Sequence, residues 1–133
     1  MPAHAPQGQV LVFDSSTLIL FLNDALPEAA VELLNVNLQS GLVFISAIVR
    51  AEVLAWPAHT DGSLSAARAL LDVCHLVPVS AEVADEAARI RRETGLKLPD
   101  ALIAATAVLQ RATLVTANER DFRRVPELAL IET

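Results

Sequence analysis

"VLVFDSSTLILFLN", residues 10–23, joins two unlike patterns at a single acid. Residues 10–13 are uniformly apolar and too few for a helix, so they read as a strand buried on both faces. Residues 15–23 are predicted to form a short helix capped by a serine, with Ser15 and Ser16 both available. Asp14 falls between the two elements, at the carboxyl end of the strand. A helix cap is one reading of it, since aspartate caps well. With two serines beside it that task does not need an acid, and a functional role is the other reading.

The same alternation runs to the end of the chain. Residues 27–41, "PEAAVELLNVNLQSG", carry Pro at the start, acids early and Gly at the end, and predict a helix. "LVFIS" (42–46) is the next strand, and "SAIVRAEVLAW" (46–56) a helix opened by Ser46 and stopped by Pro57. "HTDGS" (59–63) is expected to be a loop and residues 64–74 a helix. "HLVPV" (75–79) is a strand whose proline suits a sheet edge. Residues 80–95 form a helix with a Ser cap and a terminal Gly. Residues 99–111 are apolar on nearly every side and should form a central, buried helix. "TLVTA" (113–117) and "LALIE" (128–132) are the last strands. Continuously apolar strands alternating with helices imply an α/β domain, its mostly parallel sheet covered by helices on both faces. In such sheets ligands bind beyond the carboxyl ends of the strands.

The chain has 133 residues, enough for one domain with a real core. Residues 1–133 are expected to be that single domain, with residues 1–9 as a flexible leader. Hydrophobic residues make up 53% and aromatic ones only 4%, so the core must be aliphatic. The net charge of −6 argues against a non-specific nucleic-acid coat protein. Eight of the ten Lys and Arg residues lie from Arg89 onward, which leaves room for local basic edges on an acidic body. The single cysteine, Cys74, allows no intrachain disulfide and fits a reducing cytoplasm. No apolar run is long enough to cross a bilayer.

Three further acids stand in the company of Asp14. Asp100 lies inside "LKLPDALIAATAVL" (96–109), where an acid in a helix's first turn also suits the helix dipole. Glu52 has Ile48, Val49, Ala55 and Trp56 as its helical neighbours. A carboxylate on such a face carries a desolvation cost unless it is paired or coordinated, and Arg50 is poorly placed to pair with it. Asp121 follows the strand at 113–117, with Thr116 and Asn118 as neutral oxygen ligands nearby and Glu119 as a competing carboxylate. Converging like charges need a counter-charge. An oxygen-only donor set suits a hard dication, Mg²⁺ or Mn²⁺. Such an ion binds phosphate oxygens and stabilises the charge that develops in phosphodiester cleavage. His4, His59 and His75 lack metal-ligand spacing. Cys74 reads as a core filler, and Trp56 as either core or dimer contact.

"VLVFDSSTLI", "ISAIVRAEVLA", "LKLPDALIAATAVL" and "LVTANERDF" follow one another in the order and spacing of a PIN-domain ribonuclease. The chain most resembles the VapC-like toxins of prokaryotic toxin–antitoxin pairs, and the likeness covers nearly its whole length. The resemblance implies a three-layer α/β/α domain and a metal-dependent endoribonuclease site. It places the family's acids on Asp14, Glu52, Asp100 and Asp121, with Ser16, Thr116 and Asn118 in support. It further implies a homodimer and a cognate antitoxin that buries part of the groove. Arg91, Arg92, Arg120 and Arg124 are candidate contacts for RNA phosphates.

Other classes fit less well. A phospho-acceptor receiver needs a lysine near a late strand end, and the only lysine is Lys97. A dehalogenase-like phosphatase wants Asp-x-Asp where this chain has Asp14-Ser15-Ser16. The standing alternative is a catalytically silent PIN-fold protein that acts only through its protein partner.

Overall fold

A computed structural model describes residues 8–133; residues 1–7, which hold His4 and most of the expected leader, lie outside the described residues. The elements run β1 (Leu11–Phe13), α1 (Ser15–Leu22), α2 (Glu28–Gln39), β2 (Val43–Ser46), α3 (Ala47–Leu54) and α4 (Asp61–Val73). They continue β3 (His75–Val77), α5 (Ala81–Thr94), α6 (Leu98–Leu109), β4 (Thr113–Thr116), α7 (Glu119–Phe122) and β5 (Ala129–Glu132).

The five strands form one sheet in the order β3-β2-β1-β4-β5, and every pairing is parallel. The proline-containing segment does lie at an edge, as β3. All three residues of β1 are fully buried, as its uninterrupted apolar run demands. Helices cover the sheet in a three-layer α/β/α arrangement. Helices α1, α3 and α4 pack on one another, and α5 packs along α6. Ala101, Ala104, Ala105 and Ala107 of α6 are fully buried. Their small side chains let that helix approach its neighbours closely.

Chain order reverses at β1. The chain builds β2 and β3 on one side of it, then returns to place β4 on the other. Such a switch point opens a crevice at the carboxyl ends of the two strands involved. Asp14 and the segment after Thr116 sit at those ends.

Two local expectations are corrected, and two details are added. Asp14, not a serine, is the N-cap of α1, accepting from the backbone N–H of Thr17. The segment 59–63 is mostly helix: Thr60 and Ser63 cap each other reciprocally, so α4 starts at Asp61. Residues 119–122 add the short helix α7, one turn with no periodicity to announce it. The side-chain amide of Gln9 donates to the Arg111 carbonyl at 2.9 Å.

Candidate metal centre

Asp14 is 4% exposed, and each of its carboxylate oxygens has a donor. Oδ1 accepts from the Thr17 N–H at 2.9 Å and faces the Thr17 hydroxyl at 2.8 Å. Oδ2 accepts from the Thr116 hydroxyl at 2.5 Å. The Asn118 N–H in turn donates to Thr116 Oγ1 at 2.8 Å, which directs the hydroxyl proton to Asp14. Burial still dominates and pushes the Asp14 carboxyl above its ordinary range, against the opposing hydrogen bonds from Thr116 and Thr17.

Glu52 projects from α3, whose buried face is Val49 and Val53. Its Oε1 accepts from the Ser15 hydroxyl at 2.9 Å. Arg50 turns instead to Asp72 of α4, at 3.0 Å. Glu52 thus has no cationic partner among the described residues.

Asp100 is the third residue of α6, two after Leu98. Three devices shape the turn that delivers it. Gly95 ends α5 in the left-handed conformation, φ 75°. Arg91 donates to the Leu96 carbonyl at 2.6 Å, and Arg124 to the Thr94 carbonyl at 3.1 Å. The Asp100 carboxyl is raised, first by burial and then by the negative charges of Glu52, Asp121 and Asp14, with Lys97 opposing. Carboxylates from three other elements therefore act on Asp100.

Asp121 lies in α7, held by the Asn118 side-chain amide, which donates to its Oδ2 at 2.9 Å. Arg124 approaches its other oxygen at 3.8 Å, an exposed and weak ion pair. Glu119 belongs to a different cluster. It pairs with Arg123 at 2.9 Å, and a side-chain hydrogen bond between Glu119 and Glu132 holds the Glu132 carboxyl above its ordinary range. Among the two competing acids, Asp121 is the one whose charge reaches Asp100.

The supporting residues divide. Thr116 and Asn118 join the network, whereas Ser16 is exposed and its side chain makes no hydrogen bond among the described residues. Ser15 and Thr17, which motif reading passed over, make the contacts instead. Arg92 and Arg120 are exposed and have no ion-pair partner among the described residues. Arg89, from the same basic run, is enclosed by Glu86, Glu93 and Glu127. His59 is structural: its ring lies 2.8 Å from both the Val53 carbonyl and Ser63 Oγ, and 5.2 Å edge-on from Trp56. His75 stacks on Phe44 with ring centroids 4.3 Å apart.

The donor set is all oxygen and negatively charged, which suits a hard dication. Among the described residues no group of three or more His, Cys, Asp or Glu side chains is placed to hold a metal ion as it stands. The residues fit such an ion in chemistry and in unbalanced charge. A cavity of about 160 Å³ between α5 and residues 124–127 contains none of the four acids.

The chain matches the PIN domain family over residues 11–128. It is similar to a chain of a toxin–antitoxin complex from Klebsiella pneumoniae, at 31% identity and TM-score 0.72, covering 90% of this chain and 95% of that one. Two further likenesses, at lower identity, concern the fold. One is to VapBC2 from Rickettsia felis bound to a fragment of promoter DNA, at 23% identity and TM-score 0.76, covering 93% and 98% of the two chains. The other is to DNA-bound VapBC from Salmonella typhimurium, at 22% identity and TM-score 0.79, covering 92% and 96%. No match was found among curated proteins. With the family match spanning β1 to β4, the helices between those strands and all four acids, the chain belongs to the PIN domain family and is VapC-like in fold.

Proposed function

We propose that this chain is a Mg²⁺- or Mn²⁺-dependent endoribonuclease, the toxin of a toxin–antitoxin pair. The observation that carries the reading is the Asp14 carboxylate held by Thr17 and Thr116 at the crevice beside β1, with Glu52 tied to the adjoining Ser15 and the Asp100 carboxyl raised by Glu52, Asp121 and Asp14. Membership of the PIN family and the likeness to a toxin–antitoxin complex support it.

Asp14, Glu52, Asp100 and Asp121 would hold the ion. When bound, it lowers the pKa of water and neutralises charge developing on the phosphate. The chain's own residues do the positioning. Thr17 and Thr116 fix the Asp14 carboxylate, and Asn118 fixes both Thr116 and Asp121. Arg92 and Arg120 serve as phosphate contacts at the rim. Arg91 and Arg124, tied to main-chain carbonyls, hold the Asp100 turn and add positive charge beside it. The partners are an RNA substrate, an antitoxin protein and a second copy of the chain, in the cytoplasm. Among the described residues no helix is long and apolar enough to cross a membrane.

Incubating the purified chain with RNA tests this. Cleavage should require Mg²⁺ or Mn²⁺, stop in EDTA, and fall at least a hundredfold in folded Asp14→Asn and Asp100→Asn variants. Cleavage that persists in EDTA, or at full rate in Asp100→Asn, would overturn the reading. No cleavage under any condition would favour a silent binding protein instead.

A further inference from the structure

Ser15 is the first residue of α1, directly after the cap Asp14. At that position no preceding helical turn supplies a carbonyl for its hydroxyl to back-bond. The hydroxyl crosses to another element and donates to Glu52 Oε1 on α3 at 2.9 Å. This is the only side-chain hydrogen bond that Glu52 makes among the described residues, and likewise for Ser15.

The bond opposes a specific force. Glu52 contributes the largest of the three like-charge effects on the Asp100 carboxyl, and the repulsion acts equally on Glu52 itself. A glutamate has three rotatable side-chain bonds, and Glu52 is partly exposed. Left to that repulsion, the carboxylate would swing towards water. Asp14 cannot swing in this way, being short, buried and fixed by Thr17 and Thr116. Glu52 is the longest side chain of the set, and Ser15 is its one hydrogen-bond partner among the described residues.

We propose that Ser15 is the positioning residue of the acid cluster: its hydroxyl ties Glu52 of α3 to the start of α1, beside Asp14, so that Glu52 has less freedom to lose when a dication draws the acids together. The inference rests on the proposed metal-dependent function. It assigns to Ser15 the supporting role that motif reading gave to Ser16. Because one oxygen of Glu52 receives the hydroxyl, the other stays open to an ion.

Mn²⁺ binding to the full chain, measured by isothermal titration calorimetry, reads the effect without any substrate. Ser15→Ala should weaken Mn²⁺ binding about fivefold to twentyfold. Ser15→Thr, which keeps the hydroxyl, should stay within about twofold of the natural chain. Ser65→Ala, an exposed serine on α4, controls for the loss of any hydroxyl. Glu52→Gln should weaken binding at least as much as Ser15→Ala. Adding Ser15→Ala to Glu52→Gln should then cost little more, since the anchor has lost its load. Unchanged affinity in Ser15→Ala, with Glu52→Gln impaired, would overturn the positioning role and leave the metal site standing. No rescue by Ser15→Thr would also overturn it. No Mn²⁺ binding by the natural chain would overturn the metal-dependent function, and this inference with it.

Discussion

The hydroxyl of Thr116 donates to Oδ2 of Asp14 across 2.5 Å, linking residues 102 positions apart at the ends of two neighbouring parallel strands. The link exists because β1 and β4 pair in register, Phe13 against Val115, so the next residue of each strand meets the other. Topology thus places an acid and a hydroxyl in the crevice where the chain's path reverses.

Thr116→Val keeps the buried shape but leaves Asp14 Oδ2 without its donor and the Asn118 N–H without its acceptor. Orphaning a buried polar group costs about 1–3 kcal/mol. Urea unfolding should show a loss in that range. In combination with Asp14→Asn the losses should fall short of additive, because the two residues share one bond. Strict additivity would mean the contact carries no energy.

Asp100→Asn should stabilise the metal-free protein at neutral pH. The Asp100 carboxyl is raised from its ordinary value of 3.8 by burial and by Glu52, Asp121 and Asp14. A raised acid binds its proton more tightly in the folded state. Stability is therefore full below the ordinary value and is lost as pH climbs through the folded one. The asparagine variant escapes that loss, so its advantage in thermal melts in EDTA should shrink as pH falls towards 4. Adding Mn²⁺ should reverse the order. The natural chain gains about 2.7 kcal/mol at a hundredfold excess over Kd, and the variant gains far less. A variant less stable than the natural chain at pH 7 in EDTA would contradict the repulsion.

Gly95 sits at φ 75°, and a Cβ there would meet only the Arg124 guanidinium, at 3.8 Å. The obstacle to a side chain is backbone conformation rather than space. Gly95→Ala should cost about 1 kcal/mol of stability. It should also reduce cleavage, because the same turn delivers Asp100. Unchanged stability would mean that the turn relaxes freely.

Cys74 is 8% exposed, donates to the Leu70 carbonyl at 3.4 Å, and burial pushes its thiol up to about 11. A thiol reagent at pH 8 should leave it unmodified in the folded chain and label it fully in guanidinium chloride. Rapid labelling of the folded chain would place the side chain outside the core.

The layer order and the sheet were legible because the strand runs are uniformly apolar and the helices between them carry caps. Asp14 looked dispensable as a cap because two serines followed it. Yet the cap is the residue before the first helical position, and Ser15 lies within the helix and turns to Glu52 instead. The helix start at Asp61 was hidden because Ser63 does the work usually given to Glu or Gln in a reciprocal cap. Arginines could be counted but not assigned. Side-chain direction separates Arg89, enclosed by three glutamates, from Arg92, which points outward with no partner among the described residues. Glu119 and Asp121 stand two residues apart on one turn. Only the fold shows that Glu119 lies with Arg123 and Glu132, while the charge of Asp121 reaches Asp100.

The most direct measurement is the anomalous scattering of Mn²⁺ in crystals of the chain. One strong peak is expected among Asp14, Glu52, Asp100 and Asp121, with carboxylate oxygens about 2.0–2.3 Å away, and it should disappear in Asp100→Asn. Saturating Mn²⁺ that leaves this position empty, or an arginine side chain found in it, would contradict the account.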